Sequence, residues 1–256
     1  MNQSNSNNSN ADSAFGELIS EHRRMKKSTL VFTIVPVICG VLVILCIAGS
    51  LYSIGSMKEV VSGLILALIF FACGLPLWIV ARRERDLNLR TFADGLIYRR
   101  NNRKSAARWE DVTEIFETAE YRSVNGIPVG SFYTYIIKLK NGREIITSQN
   151  LAGMETFSRT MRGQLFPRLF VEAVERYNSG ADVNFGEITV NQSGLTYQQK
   201  FLPQNELQDL QIADGYLKII SSERKKAWAT VSLAKIPNNF VLMALLENIF
   251  KSESAA

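Results

Sequence analysis

The sequence predicts an α+β protein in which a transmembrane helical hairpin is followed by two antiparallel β-sheet units, each closed by a C-terminal helix. Three observations support this prediction. Two long uncharged apolar runs occur at residues 29–51 and 60–80. After them, short segments rich in Ile, Val, Tyr and Phe alternate with polar residues, as half-buried strands do. This strand pattern occurs twice, and an amphipathic helical segment follows it each time.

The two apolar runs are each about the 20 residues that a helix needs to cross the hydrocarbon core of a membrane. One alternative is a buried core helix of a soluble domain. Another is a cleaved signal peptide, since Ala48 and Ser50 are small enough to resemble a cleavage site, although the first run is longer than the apolar region of such a peptide. We therefore expect a two-helix transmembrane hairpin at residues 29–81.

Basic residues flank the predicted hairpin on both sides and act as candidate topology signals. They are Arg23, Arg24, Lys26 and Lys27 before the first run and Arg82, Arg83 and Arg85 after the second. Positively charged flanks stay on the cytoplasmic side of a membrane. The pattern predicts a multi-pass protein of the plasma (inner) membrane with both termini in the cytoplasm and the lipid bilayer as a partner.

The polar leader, residues 1–28, precedes the first apolar run. Its first dozen residues are rich in Asn and Ser and are expected to be disordered. From Ser13 onwards, apolar residues such as Phe15 and Leu18 occur at roughly helical spacing. This segment is predicted to form either an interfacial amphipathic helix or a cytoplasmic extension of the first transmembrane helix.

The three cysteines all lie within the predicted spans, at positions 39, 46 and 73. Because the expected compartment is reducing, a disulfide is not predicted. The cysteines are interpreted as small apolar packing residues, and no metal site is expected.

The first sheet unit is predicted at residues 84–180. Its clearest hairpin joins YTYIIKLK to REIITS through Asn141 and Gly142, a pair that favours a type I′ turn. A helix is predicted from about Gly153 to Tyr177, with Pro167 expected to kink it or to start a second segment. Apolar residues four apart form its expected buried stripe: Phe157, Met161, Leu165, Leu169, Ala173 and Tyr177.

The second unit, residues 182–252, repeats the phrase of the first. The matching residues are Gly95, Leu96 and Tyr98 with Gly194, Leu195 and Tyr197, and Val112 and Ile115 with Leu207 and Leu210. Each copy predicts about five strands and a closing helix. The last helix is expected from about Asn238 to Lys251, capped by Asn238 or Asn239. Its buried stripe would comprise Leu242, Leu245, Leu246 and Ile249.

The order of these phrases resembles a known domain family. GLIYRR, WEDVTEI, the long hairpin and a C-terminal helix are similar to the bacterial pleckstrin-homology (PH)-like domain. The whole chain, including the paired apolar runs and LAKIPNN before the last helix, resembles an uncharacterised family of bacterial membrane proteins with two transmembrane helices and tandem PH-like domains. The resemblance implies a PH-like fold for each unit. It implies neither phosphoinositide binding nor any catalytic residue.

Positive charge is concentrated directly after the second apolar run. The net charge is +5, and residues 82–108 alone contain nine Lys or Arg and three acids. Five of these basic residues form a hypothetical contact site for anionic lipid headgroups: Arg99, Arg100, Arg103, Lys104 and Arg108. The alternative is a solvated hairpin. The matching stretch of the second copy contains only Lys200. Nucleic acid is not expected as a partner, because aromatic residues do not alternate with the basic ones.

The sequence offers few groups for catalysis. His22 is the only histidine and is interpreted as a bystander in the leader, and no cysteine follows residue 81. No catalytic residue, metal site or cofactor is therefore predicted, and the chain is not expected to be an enzyme. The predicted function is that of a membrane-anchored binding or scaffold protein whose two cytoplasmic PH-like domains recognise an unidentified protein partner or the membrane surface. The alternative is an oligomeric transport or channel component.

Overall fold

The computed structural model describes residues 14–25, 86–124, 127–223 and 226–253, together with separated helical positions between residues 34 and 82. The first unit contains two antiparallel sheets with strand orders β1-β2-β3-β4 and β5-β6-β7. The strands are β1 (Leu18–Arg23), β2 (Asn88–Phe92), β3 (Gly95–Arg100), β4 (Arg103–Arg108), β5 (Val112–Val124), β6 (Ile127–Leu139) and β7 (Glu144–Ile146). Helix α1 (Met154–Asn178) follows them.

The second unit repeats this arrangement in fewer residues. Its two antiparallel sheets have the orders β11-β10-β9-β8 and β12-β13-β14. The strands are β8 (Val183–Phe185), β9 (Ile188–Asn191), β10 (Gly194–Tyr197), β11 (Lys200–Pro203), β12 (Leu207–Ala213), β13 (Tyr216–Ser221) and β14 (Ala229–Ser232). Helix α2 (Asn239–Glu253) follows. Within the described residues each unit thus has seven strands rather than about five; in the first unit one of them is β1, which comes from the leader and not from residues 84–180.

The repeated glycines occupy the same tight position in both units. A Cβ atom on Gly95 would lie 2.3 Å from the carbonyl oxygen of Ala107, and one on Gly194 would lie 2.1 Å from that of Leu202. Real side chains do not tolerate such distances, so the facing strand can approach only because glycine lacks a Cβ atom. The repeated sequence pattern therefore corresponds to the same close approach of two strands in both units.

The two helices match their predicted positions and buried faces. In α1, Phe157, Met161, Leu165, Leu169 and Ala173 are buried, and Tyr177 is partly buried against the core. Pro167 lies inside this helix, which continues through it as one element. In α2 the expected residues, at positions 242, 245, 246 and 249, are all buried.

The β6–β7 hairpin forms as expected, but the type I′ turn does not. Only Gly142 has a positive φ angle, 78°. The Leu139 amide donates to the Arg143 carbonyl oxygen, so Lys140, Asn141 and Gly142 make a three-residue connection. Such loops place one residue in the left-handed region, and glycine takes that position here.

The two units share one hydrophobic core. A single cluster of buried residues includes Phe157 and Leu165 from α1 and Leu242 and Leu245 from α2. The rings of Phe166 and Phe240 pack at 6.3 Å between centroids, which brings the two helices together. Burial of aromatic and aliphatic side chains from both units therefore couples them.

Strand β1 corrects the expectation for the polar leader. Residues 18–23 form neither an amphipathic helix nor a helical extension but a strand that pairs antiparallel with β2. The physical reason is the alternation in LISEHR: His22 is 4% exposed, whereas Arg23 on the other face is exposed. The two strands that pair lie far apart in the chain, so local spacing could not indicate the pairing.

The predicted transmembrane hairpin is also wrong. Among the described residues no helix is long and apolar enough to cross a membrane. The fold class with its helical hairpin, the description as a transmembrane protein, and the assignment to the plasma membrane with cytoplasmic termini are overturned by this finding.

Some predictions fall outside the described residues. These are the disordered stretch at residues 1–12, and Cys46 and Cys73 in the apolar runs. Of the cysteines, Cys39 lies within the described part and is a free thiol.

Candidate anion-binding hairpin

The predicted basic site is a long β-hairpin formed by β3 and β4. Arg99 pairs with Lys104 and Arg100 pairs with Arg103 across the two strands. Asn101 and Asn102 form the turn with φ angles of 54° and 59°, which asparagine tolerates better than most residues. The structure therefore holds four cationic side chains at one hairpin end, in two directly opposed like-charge pairs.

The equivalent hairpin of the second unit is shorter by two residues on each strand. Gly194–Tyr197 pairs with Lys200–Pro203, and Gln198 and Gln199 form the turn with φ angles of 47° and 67°. Gly95–Tyr98 of the first unit corresponds to Gly194–Tyr197. The first hairpin thus has four residues that the second hairpin lacks, and they are Arg99, Arg100, Arg103 and Lys104.

The two cationic pairs point to opposite faces of the hairpin, because side chains alternate along a strand. Arg100 and Arg103 share the face of Tyr98 and Ser105 and line a shallow depression of about 490 Å³. Glu144, Ile145 and Ile146 of β7 line its other side. Arg100, Arg103 and Lys104 are exposed, and Arg99 is half-buried.

A carboxylate also lies at the turn. Asp86 Oδ2 accepts a hydrogen bond from the backbone amide of Asn102 at 2.5 Å. This contact ties the hairpin tip to the residues that lead into β2. The contact fixes the turn through the backbone of Asn102.

Arg108 does not belong to this cluster. It lies at the base of the hairpin opposite Gly95, roughly 17 Å along the strand from Arg103 at about 3.4 Å per residue. Its guanidinium group is 3.8 Å from the Glu110 carboxylate, and both side chains are exposed. The structure therefore brings together four of the five predicted contact residues.

The proposed topology signals have different surroundings from those expected. Arg23 lies in β1 and pairs with the Glu21 carboxylate at 2.7 Å. Arg24 forms a β-bridge with Leu151. Arg82 is described only as a helical position, and Lys26, Lys27, Arg83 and Arg85 lie outside the described residues. The topology interpretation rested on the predicted spans and loses its basis with them.

Two residues of β1 have roles that the sequence did not indicate. Glu21 accepts hydrogen bonds from Asn88 at 2.6 Å, from Arg23 and from Arg90. Burial acts to raise the pKa of Glu21, but these donors outweigh it and lower the pKa to about 2. The alternation in LISEHR was the available signal, since it places Glu21 and Arg23 on one face of a strand.

His22, interpreted as a bystander, is a buried structural residue. Its Nε2 atom is 2.9 Å from the Ser20 hydroxyl oxygen, and its Nδ1 atom is 3.2 Å from the Ala152 carbonyl oxygen. Its ring packs edge-on against Phe157. Burial lowers the pKa of His22 and outweighs the opposing hydrogen bond to Ala152. His22 thus joins β1 to the start of α1 as a neutral imidazole.

Within the described residues, no group of three or more His, Cys, Asp or Glu side chains could hold a metal ion. The model of one protein family, described as a family of unknown function (DUF6585), matches residues 1–255. No curated protein and no solved structure matches the chain. The sequence was expected to belong to a family of membrane proteins with PH-like domains. The match supports only the coarser statement that the chain belongs to a family without an assigned function.

Proposed function

This chain belongs to the DUF6585 family, and we propose that it is a non-enzymatic binding protein whose first unit recognises anionic phosphate groups, those of lipid headgroups in particular. The observation that carries the proposal is the extension of the β3–β4 hairpin by two opposed cationic pairs, Arg99 with Lys104 and Arg100 with Arg103. The second unit has the same hairpin without the extension.

The extension of the hairpin has an electrostatic cost. Like charges placed directly opposite each other on a sheet are destabilising, by roughly the 0.2–1 kcal/mol that opposite charges contribute. An anion bound at the hairpin end would accept charge-assisted hydrogen bonds from these side chains. Near an anionic lipid surface each basic residue contributes about 1 kcal/mol. Four such residues would therefore more than offset the cost of placing them together.

The difference between the two hairpins is consistent with different binding roles for the two units. Its corresponding turn carries Gln198 and Gln199, and Lys200 is its one basic residue in the matching strands. The finer resemblance to PH-like domains is part of this proposal, supported by the order of seven described strands and a helix in each unit. The first unit then binds the anionic ligand, and the second unit is available to a protein partner, as a scaffold requires.

Two observations favour a binding role over catalysis. Both ring nitrogens of His22 lie within hydrogen-bonding distance of protein atoms, and its side chain is buried. The basic hairpin supplies hydrogen-bond donors and positive charge but no nucleophile.

The test uses the full chain, because β1 is part of the first sheet. Vesicles of phosphatidylcholine alone, and with an equal share of phosphatidylglycerol, are mixed with the wild-type chain at low and high salt, and binding is measured by flotation. We expect binding to the anionic vesicles only, weakened by salt because exposed charges are screened over about 10 Å at 0.1 M ionic strength. The variant Arg99→Gln, Arg100→Gln, Arg103→Gln, Lys104→Gln should lose it.

A charge-matched control separates the hairpin from net charge. Lys140→Gln, Arg159→Gln, Lys200→Gln and Lys226→Gln together remove the same four charges from exposed positions elsewhere. This variant should bind like the wild type. Equal losses in the two variants would mean a diffuse charge effect and would overturn the proposed site. Binding of inositol hexakisphosphate, measured by calorimetry, without binding to vesicles would show a soluble phosphate compound to be the ligand instead of lipid.

A further inference from the structure

A groove lies between the two units, on the side of β5 that faces α2. Its volume is about 600 Å³. One wall is β5 at Glu117–Ala119, and the other is the exposed face of α2 with Phe240, Met243 and Glu247. The turn between β12 and β13 forms one end. The groove is separate from the cationic hairpin and independent of the function proposed for it.

The wall formed by β5 is the outer edge of its sheet. In the described part of its sheet β5 is the outermost strand, with β6 on its inner side. Asn238 covers the first part of the outer edge: its side chain accepts from the Ile115 amide at 3.0 Å and donates to the Thr113 carbonyl oxygen at 3.0 Å. The side-chain amide of Asn238 thus makes the hydrogen bonds to this part of the edge that a neighbouring strand would make.

Beyond Asn238 the edge continues along Glu117 and Ala119, where the turn at Leu233–Lys235 lies close to β5. Backbone groups alternate in direction along a strand, so the amides and carbonyls of Glu117 and Ala119 point outward in the same direction as those of Ile115. Among the described residues, none forms a backbone hydrogen bond with these outward groups. An extended chain could therefore add to β5 in the groove as a further strand.

The opposite wall supplies apolar contact surface. Phe240, Met243 and Ala244 lie on one face of α2 and are half-buried. Ile212 and Tyr216, at the β12–β13 turn, are 55% and 47% exposed. A bound strand could place alternate side chains against this wall, which would give the site sequence preference.

The charges of the groove indicate the chemistry of the bound segment. Arg162 pairs with Glu117 and lies over the Phe240 ring at 5.6 Å, so these two charges are satisfied within the wall. Asp214 and Glu247 also line the groove, both are exposed, and neither has an ion-pair partner among the described residues. The remaining charge of the groove is negative, which favours a basic segment and disfavours a second copy presenting the same acidic edge.

We propose that this groove binds an extended basic peptide segment of a partner protein, which pairs with the outer edge of β5 at Glu117 and Ala119. Apolar side chains of the segment pack on Phe240 and Met243, and its Lys or Arg side chains pair with Asp214 and Glu247. The partner is thus recognised through its backbone and through an alternation of apolar and basic residues.

The test selects peptides from a phage-displayed library of fully randomised octapeptides on the immobilised full chain. We expect enriched sequences that alternate apolar residues with Lys or Arg. The variant Asp214→Asn, Glu247→Lys changes only exposed side chains, and Asn tolerates the positive φ angle of Asp214, 53°. Selection on this variant should lose the basic preference. No enrichment on the wild type, or the same sequences from both proteins, would overturn the proposal.

Hydrogen exchange locates the bound peptide. The highest-affinity selected peptide should slow exchange at the Glu117 and Ala119 amides about tenfold or more, because these amides become hydrogen-bonded. The same peptide N-methylated at alternate residues, in the register that removes its pairing amides, should give no protection. Protection that appears without peptide and rises with protein concentration would instead assign the edge to a second copy. Protection confined to other regions would place the peptide elsewhere.

Discussion

Asn238 and Ile115 pair as though they belonged to neighbouring strands, although one precedes the last helix and the other lies in β5. The Asn238 amide donates to the Ile115 carbonyl oxygen at 2.8 Å, and the Ile115 amide donates to Asn238 Oδ1 at 3.0 Å. The backbone carbonyl of Asn238 also accepts from the Val241 amide at 2.8 Å, so Asn238 occupies the position directly before α2. Its side chain, however, binds the first unit and does not cap the helix.

The first prediction concerns this link. Asn238→Gly keeps the positive φ angle of 51° but removes both side-chain hydrogen bonds. Because it leaves the Ile115 amide and the Thr113 carbonyl without these partners, we expect a loss of about 1–3 kcal/mol in the free energy of unfolding, measured with urea. Asn239→Ala is the matched control, since the hydrogen bond of its side chain within the described part of the chain is a long one, 3.5 Å to the Leu233 carbonyl oxygen. Equal losses in the two variants would contradict the bridging role.

The second prediction concerns the repeated glycines. Gly95→Ala and Gly194→Ala should each lower the midpoint of thermal unfolding, because the new methyl group would overlap a backbone carbonyl oxygen of the facing strand. Overpacking of this kind costs typically about 1–3 kcal/mol. Gly163→Ala, inside α1 with open space around it, is expected to be neutral or to stabilise by up to about 1 kcal/mol. A neutral effect at position 95 or 194 would mean that the strands can separate there without cost.

The third prediction concerns pH. Because the pKa of His22 in the folded chain lies below its ordinary value of 6.5, the unfolded chain binds the proton more readily. The free energy of unfolding should therefore fall as pH drops below 6.5. Glu21 acts at lower pH: its stabilising effect is complete above 4.5 and is lost as pH falls towards about 2. Urea titrations across this range measure both.

Two single variants show which residue causes each of the two losses of stability in the plot of the free energy of unfolding against pH. His22→Gln should flatten the limb below pH 6.5 and leave the more acidic limb, whereas Glu21→Gln should do the reverse. Both variants should lower stability at neutral pH, since Glu21 loses charge-assisted hydrogen bonds and His22 loses its packing on Phe157. Unchanged pH profiles in both variants would show that other groups control acid unfolding.

The fourth prediction concerns β1. A chain that begins at residue 84 lacks this strand, which would expose Leu89, Thr91 and Phe92 of β2, all buried in the full chain. We expect such a chain to unfold at markedly lower temperature or to aggregate through the open edge. Removal of residues 1–12 is the control and should leave the unfolding temperature unchanged. A fragment from residue 84 that unfolds like the full chain would show β1 to be dispensable.

Local patterns indicated the elements whose stability depends on nearby residues. The four-residue spacing from Phe157 to Ala173 defined α1 and its buried face, and the repeat of Gly95 at Gly194 revealed two related units. The basic phrase around Arg100 was visible too. Only the register of β3 and β4 shows that its basic residues form two opposed pairs in a lengthened hairpin. The groove was not predicted, because its walls come from residues more than 100 positions apart.

The sequence by itself determined the amphipathic helices, the repeat and the segregation of charge, because periodicity and composition are properties of neighbouring residues. Only the tertiary structure decided where LISEHR pairs, since Glu21 meets Asn88 across 67 positions. It likewise decided that the Asn238 side chain serves β5 and that the apolar runs, within their described residues, form no helix able to cross a membrane. The physical reason is that strand pairing and contacts to a strand edge depend on backbone amide and carbonyl groups. Because nearly every residue carries these groups, the amino-acid composition does not show which strands will pair.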